Sequence, residues 1–147
     1  MWTKKVGEVM SREIITCNVN AIVESIYDLM KENRIHHMPI VNDNNEFVGI
    51  ISYLDIMRLF DSETIFDSPG GWRRTKATLK ALIAEEVMTK YVFSLQHDAT
   101  IKDAVDLLNA NQFHSIPVLK GKQIIGIITP IDIINSVNEK SKSTEFQ

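Results

Sequence analysis

The chain has 147 residues, 44% of them hydrophobic and 24% charged, with a formal net charge of −3 and a pI near 5.8. That is enough material for a soluble domain with a stable core. It offers no basic field for holding nucleic acid, so binding of DNA or RNA is not expected.

Cys17 is the only cysteine. An intrachain disulfide, a thiolate zinc cluster and a CxxC redox pair are therefore excluded. The opening residues, "WTKKVGEVM", lack the apolar core of a signal peptide, and no apolar run is long enough to span a bilayer. The cytoplasm is the expected location, with no membrane insertion.

In chain order, a short strand is expected around Ile14–Thr16. "NAIVESIYDLMKEN" then places Val23, Ile26, Tyr27 and Met30 on one helix face, with Asn20 suited to cap it. The apolar runs "HMPIV" and "FVGII", separated by "NDNNE", read as a β-hairpin, and "YLDIMRLF" as a closing helix. A polar stretch with a Pro69-Gly70-Gly71 turn leads into a helix expected over Thr75–Ala84. The pattern then repeats. A strand is expected at Val92–Ser94, and a helix with Ile101, Ala104, Val105 and Leu108 on one face and Asp98 as its cap. A hairpin of "HSIPVL" and "QIIGII" and a closing helix "PIDIINSV" follow. From Asn138 the tail has no apolar periodicity and is expected to be disordered.

The repetition is literal. "EVMS" at Glu8 recurs as "EVMT" at Glu86, and "RIHHMPIV" at Arg34 as "QFHSIPVL" at Gln112, both at an offset of 78. "GIISYLD" at Gly49 recurs as "GIITPID" at Gly126, one residue closer, the loss falling in the hairpin turn. Two β-α-β-β-α units of this size are expected to pack on each other, an α/β (α+β) fold.

Ser52 with Asp55, and Thr129 with Asp132, have the spacing of a capping box, and Pro130 stands where helices favour proline. The same residues also suit a ligand. A hydroxyl at a helix N-terminus favours an anion, and a carboxylate can accept from the vicinal hydroxyls of a sugar. Gly49 and Gly126 would permit a close approach to the strand. One hydroxyl can serve both purposes.

With these phrases in register with the "hPhh" strands, residues 6 to about 137 resemble a tandem pair of CBS domains, named after cystathionine β-synthase. The resemblance implies a pseudo-two-fold module whose central cleft holds adenosine ligands such as AMP, ADP, ATP or S-adenosylmethionine, with no required cofactor. It assigns ribose to Asp132 and Asp55, and ribose or phosphate to Thr129 and Ser52. Adenine falls to Ile35, His36, His37 and Met38 with Thr129/Asp132, and to Phe113, His114, Ser115 and Ile116 with Ser52/Asp55. His36 and His114 match a phosphate-facing histidine of some members. Where others carry arginine this chain has His37 and Ser115, which weakens the case for tight triphosphate binding. The site with two histidines is expected to gain more from mild acidification.

On this reading the first CBS motif covers 1–61, a linker 62–84, the second motif 85–137 and the tail 138–147. The histidines have no carboxylate or thiolate at familiar metal-ligand spacing, so no metal is expected. No nucleophile–base pair, Walker loop or dinucleotide fingerprint occurs, and the resemblance implies regulation rather than catalysis. Cys17 is expected to be inert, and Trp72-Arg73-Arg74 to cover the module's own surface. The chain is expected to be a homodimer, joined through helix faces such as Ile22–Met30 and Asp132–Val137, that modulates a partner protein. The alternative is a dimerisation platform with vestigial sites.

Overall fold

Two short, matching sheets organise the chain. The structure is a computed structural model that describes residues 3–60, 71–90, 92–111 and 114–145, with the side chains of 71–75 and 139–145 excepted. The expected roles of Phe113 and of the Trp72-Arg73-Arg74 side chains lie outside the described residues. The chain divides into two compact units, one of Ile15–Val92 and one of Met1–Ile14 with Phe93–Gln147.

The Ile15–Val92 unit contains β1 (Cys17–Asn18), α2 (Val23–Asn33), β2 (His37–Val41), β3 (Phe47–Ser52), α3 (Tyr53–Met57), α4 (Gly71–Ala81) and α5 (Ala84–Val87). The other contains α1 (Val6–Val9), β4 (Leu95–Gln96), α6 (Ile101–Asn111), β5 (Ile116–Lys120), β6 (Gln123–Ile128) and α7 (Pro130–Glu145). Each sheet runs first strand–second–third, with a parallel pair and then an antiparallel hairpin, and both hairpins carry a bulge at the same place in the repeat, after Ile40 and after Val118. The α/β expectation holds.

The opening strands sit later than expected, at Cys17–Asn18 and Leu95–Gln96, because that is where Ile40–Val41 and Val118–Leu119 offer parallel partners. Both turns use a left-handed residue, Asn45 in the longer first hairpin and Gly121 in the second. Asn42 Oδ1 steadies the longer one by accepting from the N–H groups of Asn44 and Glu46.

Each unit has its own core. Ile26, Met30, Met38, Ile40 and Ile51 are fully buried in one, joined by Leu79 from α4; Ile101, Ile116, Val118 and Ile128 fill the other. The apolar face of α2 is therefore consumed internally. Of the Ile22–Met30 face expected to join two copies, Val23, Ile26, Tyr27 and Met30 are buried in this core, while Ile22 stays 46% exposed.

Neither expected helix cap is used. The first N–H of α2, from Val23, donates to the carbonyl of Leu82, while Asn20 N–H turns back to Asn18 Oδ1. In α6 the cap is Thr100 rather than Asp98: Thr100 N–H donates to Asp103 Oδ2 and Asp103 N–H to Thr100 Oγ1. The linker helix starts at Gly71 and stops at Ala81 because Leu82 and Ile83 turn to extended contacts with Val23 and Ile22. The tail differs too: α7 continues through Asn138 to Glu145.

Candidate functional site

The repeated phrases occupy matching positions at the third strand of each sheet, and their glycines have a definite neighbour. A Cβ on Gly49 would stand 2.8 Å from Met88 Sδ and 2.9 Å from the Thr89 carbonyl. On Gly126 it would collide with Met10 Sδ and stand 2.8 Å from the Ser11 carbonyl. The close approach anticipated at these glycines is made by the chain's own "EVMS" and "EVMT" segments. Ser11 exchanges two main-chain hydrogen bonds with Ile127, and Thr89 two with Ile50. Each copy's opening phrase thus completes the hairpin of the other copy, which explains why that phrase repeats.

At the helix starts, the capping boxes form. Ser52 N–H donates to Asp55 Oδ2 at 3.0 Å and Asp55 N–H to Ser52 Oγ at 3.0 Å. Thr129 N–H and Oγ1–H both donate to Asp132 Oδ2, at 2.9 and 3.0 Å, and Asp132 N–H returns to Thr129 Oγ1. Both carboxylates are half-buried. Capping takes one oxygen of each. Arg58 Nη1 lies 3.6 Å from Asp55 Oδ1, whereas Asn135 holds the corresponding place beside Asp132. The Oδ1 atom of Asp132 has no hydrogen bond or ion pair among the described residues.

The strand residues divide by burial. Met38 and Ile116 are fully buried in their own cores, so only their main chain can meet a ligand. Ile35, His37 and Ser115 are half-buried, and His36 and His114 are exposed. In the Ile15–Val92 unit His37 stands opposite Ser52 in the sheet, and the His36 carbonyl accepts from Tyr53 N–H at 2.7 Å. Pro130, at the matching position in the other unit, has no N–H to give. Ile35–Met38 thus lie beside Ser52 and Asp55 in one unit, and His114–Ile116 lie with Thr129 and Asp132 in the other.

Tyr53 brings a feature that sequence reasoning missed. Its ring stacks on Tyr27 with centroids 6.0 Å apart, Phe60 meets Tyr27 edge-on at 5.7 Å, and Lys31 Nζ lies 4.9 Å from the Tyr27 centroid. Burial, and then the hydrogen bond to Tyr53, push the Tyr27 hydroxyl above its ordinary value. Tyr27 lies on α2 and Phe60 three residues beyond the end of α3, so no local pattern in the sequence announced the cluster. Burial likewise raises the Cys17 thiol. No group of three potential metal ligands comes together among the described residues. Among them, too, no helix is long and apolar enough to cross a membrane.

The architecture and the repeated Gly–aliphatic–aliphatic–hydroxyl–x–x–Asp phrase define a module of two tandem repeats. The CBS domain family matches residues 6–62 and 84–139, and the chain belongs to that family. Its fold matches the CBS-pair protein CBSX2 of Arabidopsis thaliana, with a TM-score of 0.79 at 19% identity over 95% of this chain and 97% of that one. The CBS domain of a membrane protein from Sphaerobacter thermophilus gives 0.76 at 22% identity, covering 91% and 88%. CBSX2 has been solved in complex with AMP, and the CBS pair of protein MJ0100 with 5′-methylthioadenosine and S-adenosylmethionine. By sequence, the chain is 27% identical to protein MJ1404 of Methanocaldococcus jannaschii over 97% of its own length and 34% of that protein's. It is 28% identical to the inosine-5′-monophosphate dehydrogenase of the same organism, over 89% of itself and 23% of the enzyme. The chain spans only about a quarter to a third of the first curated relatives it matches.

Proposed function

We propose that the chain is a regulatory, non-catalytic module, acting in the cytoplasm, that binds an adenosine-containing ligand and thereby alters a partner protein. The observation that carries this reading is the Thr129/Asp132 pair. Its cap holds the carboxylate in one orientation through Oδ2 and leaves Oδ1 to accept from a ribose hydroxyl. A preorganised acceptor at a helix start is what a sugar diol beside a phosphate requires. Ser52 and Asp55 offer a second, weaker version, since Arg58 competes for Oδ1. Main chain of Ile35–Met38 and of the Phe113–Ile116 stretch would take the base, and His36, His37 and His114 would face phosphate. AMP, ADP, ATP and S-adenosylmethionine are the candidate ligands, a choice supported by the complexes solved for CBSX2 and MJ0100. The test is thermal unfolding against those four compounds. A rise in melting temperature with at least one supports the reading, and none at millimolar concentration sinks it.

A second reading, a dimerisation platform, is favoured by one observation. Ile131, Ile134 and Val137 on α7 are 62%, 58% and 43% exposed, beside an apolar groove of about 330 Å³ lined by Val105, Leu108, Pro130 and Ile133. The two readings are compatible, since a homodimer can carry nucleotide sites.

A further inference from the structure

The two repeats fill the space between their helices differently. At the repeat offsets of 78 for the first helix and 77 for the closing helix, Tyr27, Tyr53 and Phe60 correspond to Val105, Pro130 and Val137. In the Ile15–Val92 unit the three rings meet. Tyr53 stacks on Tyr27 at 6.0 Å, Phe60 meets Tyr27 edge-on at 5.7 Å, and Lys31 Nζ lies 4.9 Å from the Tyr27 centroid. In the other unit the matching place, between α6 and α7, is an open groove of about 330 Å³ lined by Val105, Leu108, Asn109, Pro130, Ile133 and Ile134. By the same offsets its remaining walls match Met30, Lys31, Ile56 and Met57 around the rings. One repeat thus supplies aromatic rings where the other keeps smaller side chains and a groove.

Size and charge narrow the occupant. A dry apolar cavity of about 150 Å³ already accepts benzene, and ligand pockets begin at about 300 Å³, so one substituted ring fits. None of the six lining residues is charged. An ionic ligand would give up its hydration there and meet no counter-charge. Where Lys31 sets a cation on the Tyr27 ring, the groove has Asn109, whose side chain makes no hydrogen bond among the described residues. An amide of that kind both donates to and accepts from a neutral hydroxyl. We propose that the groove between α6 and α7 binds a small, neutral, planar aromatic compound of the phenol type. None of the residues assigned above to an adenosine ligand lines it, so the proposal stands apart from that reading. Ile134 also belongs to the face that the dimerisation reading uses, so a ring in the groove would alter that face.

Methyl NMR of the full chain, titrated with phenol, cyclohexanol and benzoate, tests it. The three probes share a six-membered ring and differ in planarity and charge. Phenol should move the methyl signals of Val105, Leu108, Ile133 and Ile134 and saturate in the millimolar range. Cyclohexanol and benzoate should bind about tenfold more weakly or worse. Val105→Tyr restores the ring that Tyr27 provides in the other repeat and should weaken phenol binding by about tenfold or more, with circular dichroism unchanged. Should that variant fail to fold, Val137→Phe decides instead, because Val137 is 43% exposed and tolerates a larger side chain. It places a ring where Phe60 stands and should likewise weaken phenol. Absent methyl shifts, equal affinity for all three probes, or binding that survives the ring-restoring substitutions would each overturn the proposal. So would adenosine moving the same four methyl sets, since the groove would then belong to the nucleotide site. Phenol binding in a protein that binds no adenosine compound would uphold the groove and sink the adenosine reading alone.

Discussion

Met10 lies against Gly126 in the same way that Met88 lies against Gly49. In each pair a methionine from the opening phrase of one copy packs on the glycine of the other copy's third strand. Met10 is 8% exposed, and a methyl group at Gly126 would meet its sulfur and the Ser11 carbonyl. Gly126→Ala is expected to destabilise by about 1–3 kcal/mol, the usual cost of overpacking. Met10→Ala alone should cost about 2–5 kcal/mol, and distinctly less in the Gly126→Ala background, because the two share one contact. Urea unfolding of the two single variants and the double variant measures this, and strict additivity would contradict the packing described.

The cap at α7 changes what an aspartate substitution does. Asp132→Ala removes a carboxylate that accepts from Thr129 N–H and Oγ1–H. The unliganded protein should therefore lose about 1 kcal/mol, the typical worth of a helix cap. That corresponds to a fall of roughly 2–8 °C in melting temperature. A ligand at a hundredfold its dissociation constant should stabilise the parent by about 2.7 kcal/mol and the variant by almost nothing. Differential scanning calorimetry with and without ligand separates the two effects. An unliganded variant as stable as the parent would contradict the cap.

Most of the architecture was legible in the sequence because it rests on local pattern. The faces of α2 and α6, the two hairpins and the capping boxes at Ser52 and Thr129 follow from side-chain periodicity and turn chemistry. The exchange of opening phrases was not legible. A repeat aligned on itself shows that "EVMS" and "EVMT" correspond, but not which glycine each one covers. Asn20 and Asp98 failed as caps for a similar reason: a distant carbonyl reached Val23 first, and Thr100 stood closer to the helix start than Asp98. The tail has no apolar stripe, yet it continues a helix already nucleated by the Thr129 cap, where adding residues costs less than starting afresh. Of the candidate site, the Ser/Thr–Asp pairs could be read directly. Lys4 and Glu8 could not be placed near Asp132, since only folding brings them there.

Acid should loosen α6. Main-chain donation from Thr100, and then its side chain, hold the Asp103 carboxyl below its ordinary value of 3.8. A carboxyl depressed on folding contributes stability above its unfolded value, and that contribution is lost as pH falls through the folded value. The parent should therefore lose this share of its stability progressively below about pH 4. Asp103→Asn should flatten that part of the profile. Urea midpoints at pH 3 and pH 6 for both proteins provide the check. Identical pH profiles would show the box to be energetically idle.

The apolar face of α7 leads to the last expectation. Ile131, Ile134 and Val137 keep about half their surface in water, so covering them is worth about 1 kcal/mol each or slightly more. One set of three cannot offset the 4–15 kcal/mol cost of association. In a two-fold dimer the same patch is used twice, so six side chains and both grooves contribute, giving about 6–9 kcal/mol. That lies within the range of the cost, which makes the dimer sensitive to a single change. Ile134→Asp places a charge at the edge of the groove and should shift the protein to monomer at tens of micromolar, without lowering the monomer's own stability, because the side chain is 58% exposed. Light scattering across a concentration series reads the outcome. A parent that is monomeric at those concentrations would refute the dimer and leave nucleotide binding untouched, whereas a dimer unaffected by Ile134→Asp would move its interface away from α7.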